Sequence, residues 1–136
     1  MLRRVLLVSC LALGSVAACN RDVPVPASSD PEGKDLVTGA VVAAAESSGG
    51  VRLYKIVHVD DYPEPAGPEY HMIVYEPKAP TFQDAANMWK YKRNEVTVKL
   101  DHIFVRLVNF GKRDHRVLFV EPVTDEEKAP YLKARR

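Results

Sequence analysis

Cysteine is scarce in this chain. It occurs only as Cys10 and Cys19, so nothing beyond residue 19 can form a disulfide, a thiol nucleophile or a cysteine-ligated zinc site. Stability of the remaining chain must come from an apolar core. Serine is nearly as rare after residue 35. Ser47 and Ser48 precede Gly49-Gly50, with no G-x-S-x-G elbow and no phosphate-binding glycine loop. Histidine and acid occur without an HExxH, HxH or other compact metal-ligand motif. Charge is almost balanced, 19 Lys plus Arg against 18 Asp plus Glu, which gives no global field for nucleic acid. No apolar run approaches the roughly 20 residues of a comfortable transmembrane helix.

What is present begins at the N-terminus. Met1-Leu2-Arg3-Arg4 is basic, Val5 to Leu13 is apolar apart from Ser9 and Cys10, and small residues lead to Cys19. That order is the pattern of a secretory signal. Val16-Ala17-Ala18-Cys19 resembles the lipobox of bacterial lipoproteins, with valine where leucine is commoner. The resemblance covers residues 1 to 20 only. It implies cleavage by signal peptidase II after residue 18 and lipidation (palmitate-type acylation) of Cys19. Its acyl chains would each bind a membrane by about 0.8 kcal/mol per buried CH₂. It also implies a cell-envelope location facing the periplasm. Asn20 stands where Asp marks inner-membrane retention in enterobacterial lipoproteins, which leans the expectation towards the outer membrane.

Residues 19 to 35 then read as a lipidated cysteine and a flexible tether. NRDVPVPASSDPEGKD is rich in Pro, Ser and charge and has no apolar period. Extended, it would span on the order of 50 Å and hold the domain clear of the headgroups. Residues 36 to 136 are enough for one domain with a real core. Without Arg3 and Arg4, 17 basic residues face 18 acidic ones, a mature net charge of −1.

The alanines of Asp35 to Ser47 predict a helix that Gly49-Gly50 stops. Val51 to Asp60 and Tyr70 to Glu76 read as strands joined by a proline-rich loop. Thr81 with Asp84 predicts a capped helix whose Phe82, Ala85, Ala86 and Trp89 share one face. Glu95 to Phe110 and His115 to Glu121 read as a second hairpin. Thr124 with Glu127 is another capping box, and Pro130 predicts that the final helix is short or broken. Strand, Glu-Pro and capped helix occur in that order twice, consistent with a duplicated ββα unit.

The expected fold is therefore α+β: a four-stranded, mainly antiparallel sheet with two or three helices. Centring the turns pairs Tyr54 with Tyr75, Ile56 with Ile73 and His58 with His71. In the second hairpin it pairs Leu107 with Leu118 and Val105 with Val120. Apolar residues on both faces of these strands imply either cover on both sides or a face that awaits a partner.

Three functional readings follow. The leading one is a non-enzymatic, membrane-anchored protein that binds an envelope protein partner or supports an assembly, with no cofactor and no nucleic acid. Its candidate contacts are the stiff loop of Tyr62, Pro63 and Pro65. An alternative is a small metal-dependent or hydrolytic enzyme using His58, His71 and Asp60, since facing imidazoles on paired strands can share a metal with a nearby carboxylate. A third is a binder of anionic glycan or lipid headgroups through Lys112, Arg113 and Arg116 at the second turn, together with the basic stretch of Lys90, Lys92 and Arg93.

Overall fold

The computed structural model describes residues 21–110 and 113–136. Their centre is one antiparallel sheet of five strands, not four: β1 (Ala40–Ala45), β2 (Val51–Asp61), β3 (Pro68–Glu76), β4 (Thr97–Arg106) and β5 (His115–Val120), in the order β4-β3-β2-β1-β5. Two helices, α1 (Phe82–Tyr91) and α2 (Asp125–Ala134), complete the α+β domain, with a single helical turn at Leu107–Phe110.

The fifth strand is β1, where alanine content had predicted a helix. Its position between β2 and β5 explains the outcome. Val41 and Ala43 are buried on one face and Ala40, Val42 and Ala44 on the other. A segment buried on both faces gains more from sheet packing than alanine gains from helical propensity, which is a few tenths of a kcal/mol per residue. Gly49 and Gly50 accordingly serve the β1–β2 turn, both with positive φ. Gly39 is required just before β1. A side chain there would collide with the Glu121 carbonyl oxygen, because Glu121 N–H donates to the Gly39 carbonyl.

The expected second hairpin does not form. β4 pairs with β3 at one edge of the sheet and β5 pairs with β1 at the other. Leu107 is not opposite Leu118, and Val120 pairs with Ala40 instead of Val105. The second half of the chain is thus not a copy of the first ββα unit. The first hairpin is as expected at its outer end, where His58 faces His71 and Asp60 faces Glu69. Nearer the core, Tyr54 pairs with Val74 and Ile56 with Met72, one residue away from the centred register. An irregularity between Ile56 and His58 absorbs the difference.

Both faces are covered, by different means. Leu53, Val57, Ile73 and Tyr75 pack under α1 and α2 with Ala85, Trp89 and Tyr131. Tyr54, Ile56, Tyr70, Met72 and Val74 pack under Leu36 and Phe110. Thr81 caps α1, accepting from Asp84 N–H. Thr124 and Glu127 form a complete capping box on α2, which runs ten residues through Pro130 instead of breaking there. Two anchors hold it: Glu127 is bound by the buried Lys55 ammonium, and Tyr131 is buried at the far end.

The segment read as a free tether lies against the domain. Val23 is buried, and its N–H donates to Asn87 Oδ1 while its carbonyl accepts from Gln83. Ser29 Oγ bridges His115, and Leu36 enters the core. Among the described residues no helix is long and apolar enough to cross a membrane.

Candidate functional site

The outer end of the β2–β3 hairpin carries the polar cluster. Residues 51, 53, 55 and 57 face the helices, so strict alternation would send His58 to the opposite face. The irregularity after Ile56 puts His58 and Asp60 on the helix side as well, beside His71 and Glu69 of β3. Similar register shifts occur between β3 and β4, on either side of Val74. There His102 joins the same group.

The contacts form a continuous chain. His58 Nε2 lies 3.0 Å from Asp60 Oδ1. His71 Nε2 lies 2.9 Å from Asp60 Oδ2 and 3.4 Å from Glu69 Oε1. The other nitrogen of His71, Nδ1, is 2.9 Å from His102 Nε2. Tyr131 of α2 covers the group, its ring stacked on His58 and tilted against His71, both at 4.6 Å. Exposure falls from His58, with 30% of its side chain accessible, to His71 with 9%.

The electrostatics follow from this geometry. Burial pushes the Asp60 carboxyl up, but the hydrogen bonds from His71 and His58 outweigh it and hold the group below the ordinary aspartate value. His102 is lowered, first by burial and then by the neighbouring His71, so its neutral form is favoured. A carboxylate 2.9 Å from His71 Nε2 requires a proton on that nitrogen. A divalent cation could take the place of that proton. With the cation on Nε2, Nδ1–H would donate to neutral His102, the orienting partner that a metal-bound imidazole ordinarily has.

One ligand atom each from Asp60, Glu69 and His71 lies within 4.8 Å of the other two. Small shifts would bring them to the roughly 2.0–2.2 Å bonds of a zinc-like site. His58, on the second Asp60 oxygen, can orient that carboxylate or become a fourth ligand. An open hollow of about 630 Å³, lined by Glu126, Ala129, Pro130 and Lys133, touches the cluster at His102.

The three residues read from sequence as a metal or hydrolytic set, His58, His71 and Asp60, are therefore together. Glu69, His102 and Tyr131 were missed. Glu69 was visible as the same-face neighbour of His71 two residues away. His102 was not, because β4 had been paired with β5. The other candidates lie elsewhere. Tyr62, Pro63 and Pro65 are exposed in the β2–β3 loop. Arg113 donates to Tyr54 Oη. Arg116 binds Asp114, donates to the Pro26 and Ala27 carbonyls and stacks on Phe82, so it holds the chain's own N-terminal segment. Cys19 and Lys112 lie outside the described residues.

No family model matches this chain, and neither a curated protein nor a solved structure matches it.

Proposed function

We propose that this is a lipid-anchored envelope protein, outer-membrane in its leaning, whose domain binds a divalent transition-metal ion of the zinc type between β2 and β3. The observation that carries the reading is that ligand atoms of Asp60, Glu69 and His71 lie within 4.8 Å of one another, with His102 on the far nitrogen of His71. The ligand set is nitrogen and carboxylate oxygen, suited to zinc-like ions more than to calcium or magnesium. Binding is favoured over hydrolysis because the Tyr131 ring lies over the imidazoles, and the open hollow reaches only His102. Calorimetric titration of the purified mature protein with Zn²⁺ should reveal one site per chain. His71→Asn should weaken it by more than the roughly 10–100-fold expected for an orienting partner such as His102→Ala. Wild-type protein that takes up no Zn²⁺ above pH 7 would sink the assignment.

A second reading, docking of an envelope protein, is favoured by the outermost strand. Val98, Leu100 and Phe104 of β4 are large, apolar and about half or more exposed on an unpaired edge. Such an edge can accept a strand from a partner. Crosslinking in intact cells should recover a partner with wild-type protein and lose it with Phe104→Lys. Identical recovery with both proteins would remove β4 from consideration.

A further inference from the structure

We infer that the outer flank of α1 rests on the headgroup layer of the membrane that holds the anchor. This rests on acylation of Cys19 and departs from the expectation of a long free tether. The decisive feature is how soon the chain becomes fixed. Tyr91 Oη donates to the Arg21 carbonyl, Asn87 Nδ2 donates to Asp22, and Val23 is held at both its N–H and its carbonyl by Asn87 and Gln83. Only two peptide links separate Cys19 from Arg21. Their reach is about 8 Å between α-carbons. An acylated Cys19 has its glyceride in the bilayer surface, so Arg21 lies within those two links plus the thioether side chain of that surface, and α1, which holds Arg21 through Tyr91, lies next to it.

The surface so placed suits its neighbour. Arg21, Lys90, Lys92 and Arg93 are exposed around the C-terminal end of α1, and the exposed Lys78, which precedes the helix, lines the same hollow as Arg21 and Lys92. Asp22, Asp84 and Glu95 line that hollow too, Glu46 pairs with Lys78, and Glu121 flanks Lys90 and Arg93, so contact with headgroup phosphates is through individual cations and not through a net positive field. Tyr91 is half exposed and presents the amphipathic ring that favours a membrane–water interface. A hollow of about 640 Å³ between Arg21, Lys78, Asn87, Tyr91 and Lys92 is wide enough for a phosphoglycerol group. Val51 bridges Ala79 beside this hollow, whereas the Tyr62 loop follows the opposite end of the eleven-residue β2, about 35 Å away at strand rise. The domain would then stand on one end of its sheet, with the histidine cluster directed away from the bilayer.

The mature chain has no other free thiol once Cys19 is acylated, so a single cysteine can be labelled cleanly. Full-length Lys92→Cys and Tyr62→Cys proteins, purified with their lipid, would carry a nitroxide and be placed in phosphatidylcholine–phosphatidylglycerol vesicles. Power-saturation spectroscopy should find the label at 92 at headgroup depth and the label at 62 in water. Adding Asn87→Ala and Gln83→Ala should release the docked segment and return label 92 to water. Acylated protein with both labels equally aqueous would overturn this orientation and leave the lipoprotein reading intact. Intact-mass measurement showing no acyl group on Cys19 would overturn both.

Discussion

The two ends of the β2–β3 hairpin differ in what surrounds them. At the inner end Leu53, Tyr54, Ile56, Met72 and Val74 are buried, and both faces of the ribbon are packed. At the outer end His58, Asp60 and Glu69 are only partly covered, and imidazoles and carboxylates satisfy one another. The boundary is the register irregularity at Val57. The inner end owes its stability to removing apolar area from water. The outer end keeps titratable groups together because few of them are deeply buried, His58, Asp60, His71 and His102 are hydrogen-bonded to one another, and Glu69 lies as an ion-pair neighbour of His71 and Arg106. One hairpin thus supplies both the rigid support and the polar cluster held at its rim.

The largest expected effect comes from breaking the inner end. Leu53→Ala removes a side chain with no exposed surface and should cost about 2–5 kcal/mol in denaturant unfolding. The outer-end variant His71→Asn should unfold at a midpoint much closer to wild type. A similar loss from both would erase the distinction between support and site.

Next is the metal-linked gain. With Zn²⁺ at a hundredfold excess over its dissociation constant, wild type should gain about 2.7 kcal/mol. That should be visible as a thermal midpoint raised by several degrees and removed by a chelator. His71→Asn should show no such shift, whereas Leu53→Ala should keep it from a lower baseline.

Within the hairpin, Lys55 is 3% exposed and ties β2 to the start of α2 through Glu127 and the Pro122 carbonyl. Lys55→Met should cost about 2 kcal/mol by removing the charge-assisted hydrogen bonds to Glu127 and the Pro122 carbonyl, with much of the loss recovered in the double variant Lys55→Met, Glu127→Met. Equal stability of the two proteins would show that this ion pair does not anchor α2.

The smallest effect is the response to acid. Burial raises Glu127, but hydrogen bonding to Lys55 more than offsets it, and its value ends below the ordinary 4.5. Asp60 likewise ends below 3.8. For such depressed groups the stabilisation is complete above their unfolded values and is lost as pH falls through the folded ones. His102, lowered from 6.5, has the same sign in a higher window, so stability should begin to fall as pH drops through about 6.5. Replacing His102 with Asn should remove that upper step and leave the carboxylate step near pH 4. A profile with the upper step unchanged would mean that another group causes it.

Legibility followed the range of the interaction. The caps at Thr81 and Thr124, the strands β2 and β3 and the facing of His58 with His71 could be read from short windows. In each, the cause lies within a few residues or across a single turn. β1 could not be read this way, because its alanines become a strand only between β2 and β5. His102 depended on β4 lying beside β3, a pairing that skips the helix between them.

The sequence alone determined the α+β class, the helix caps and the facing of His58 with His71 at one hairpin end, since these follow from local backbone chemistry and the centring of a single turn. Tertiary structure alone decided that a fifth strand exists and that residues 21–23 are fastened to α1. It also decided that His102 and Tyr131 complete the cluster. These depend on which distant segments share buried surface, and a one-residue irregularity in a strand is enough to reverse which face a side chain joins.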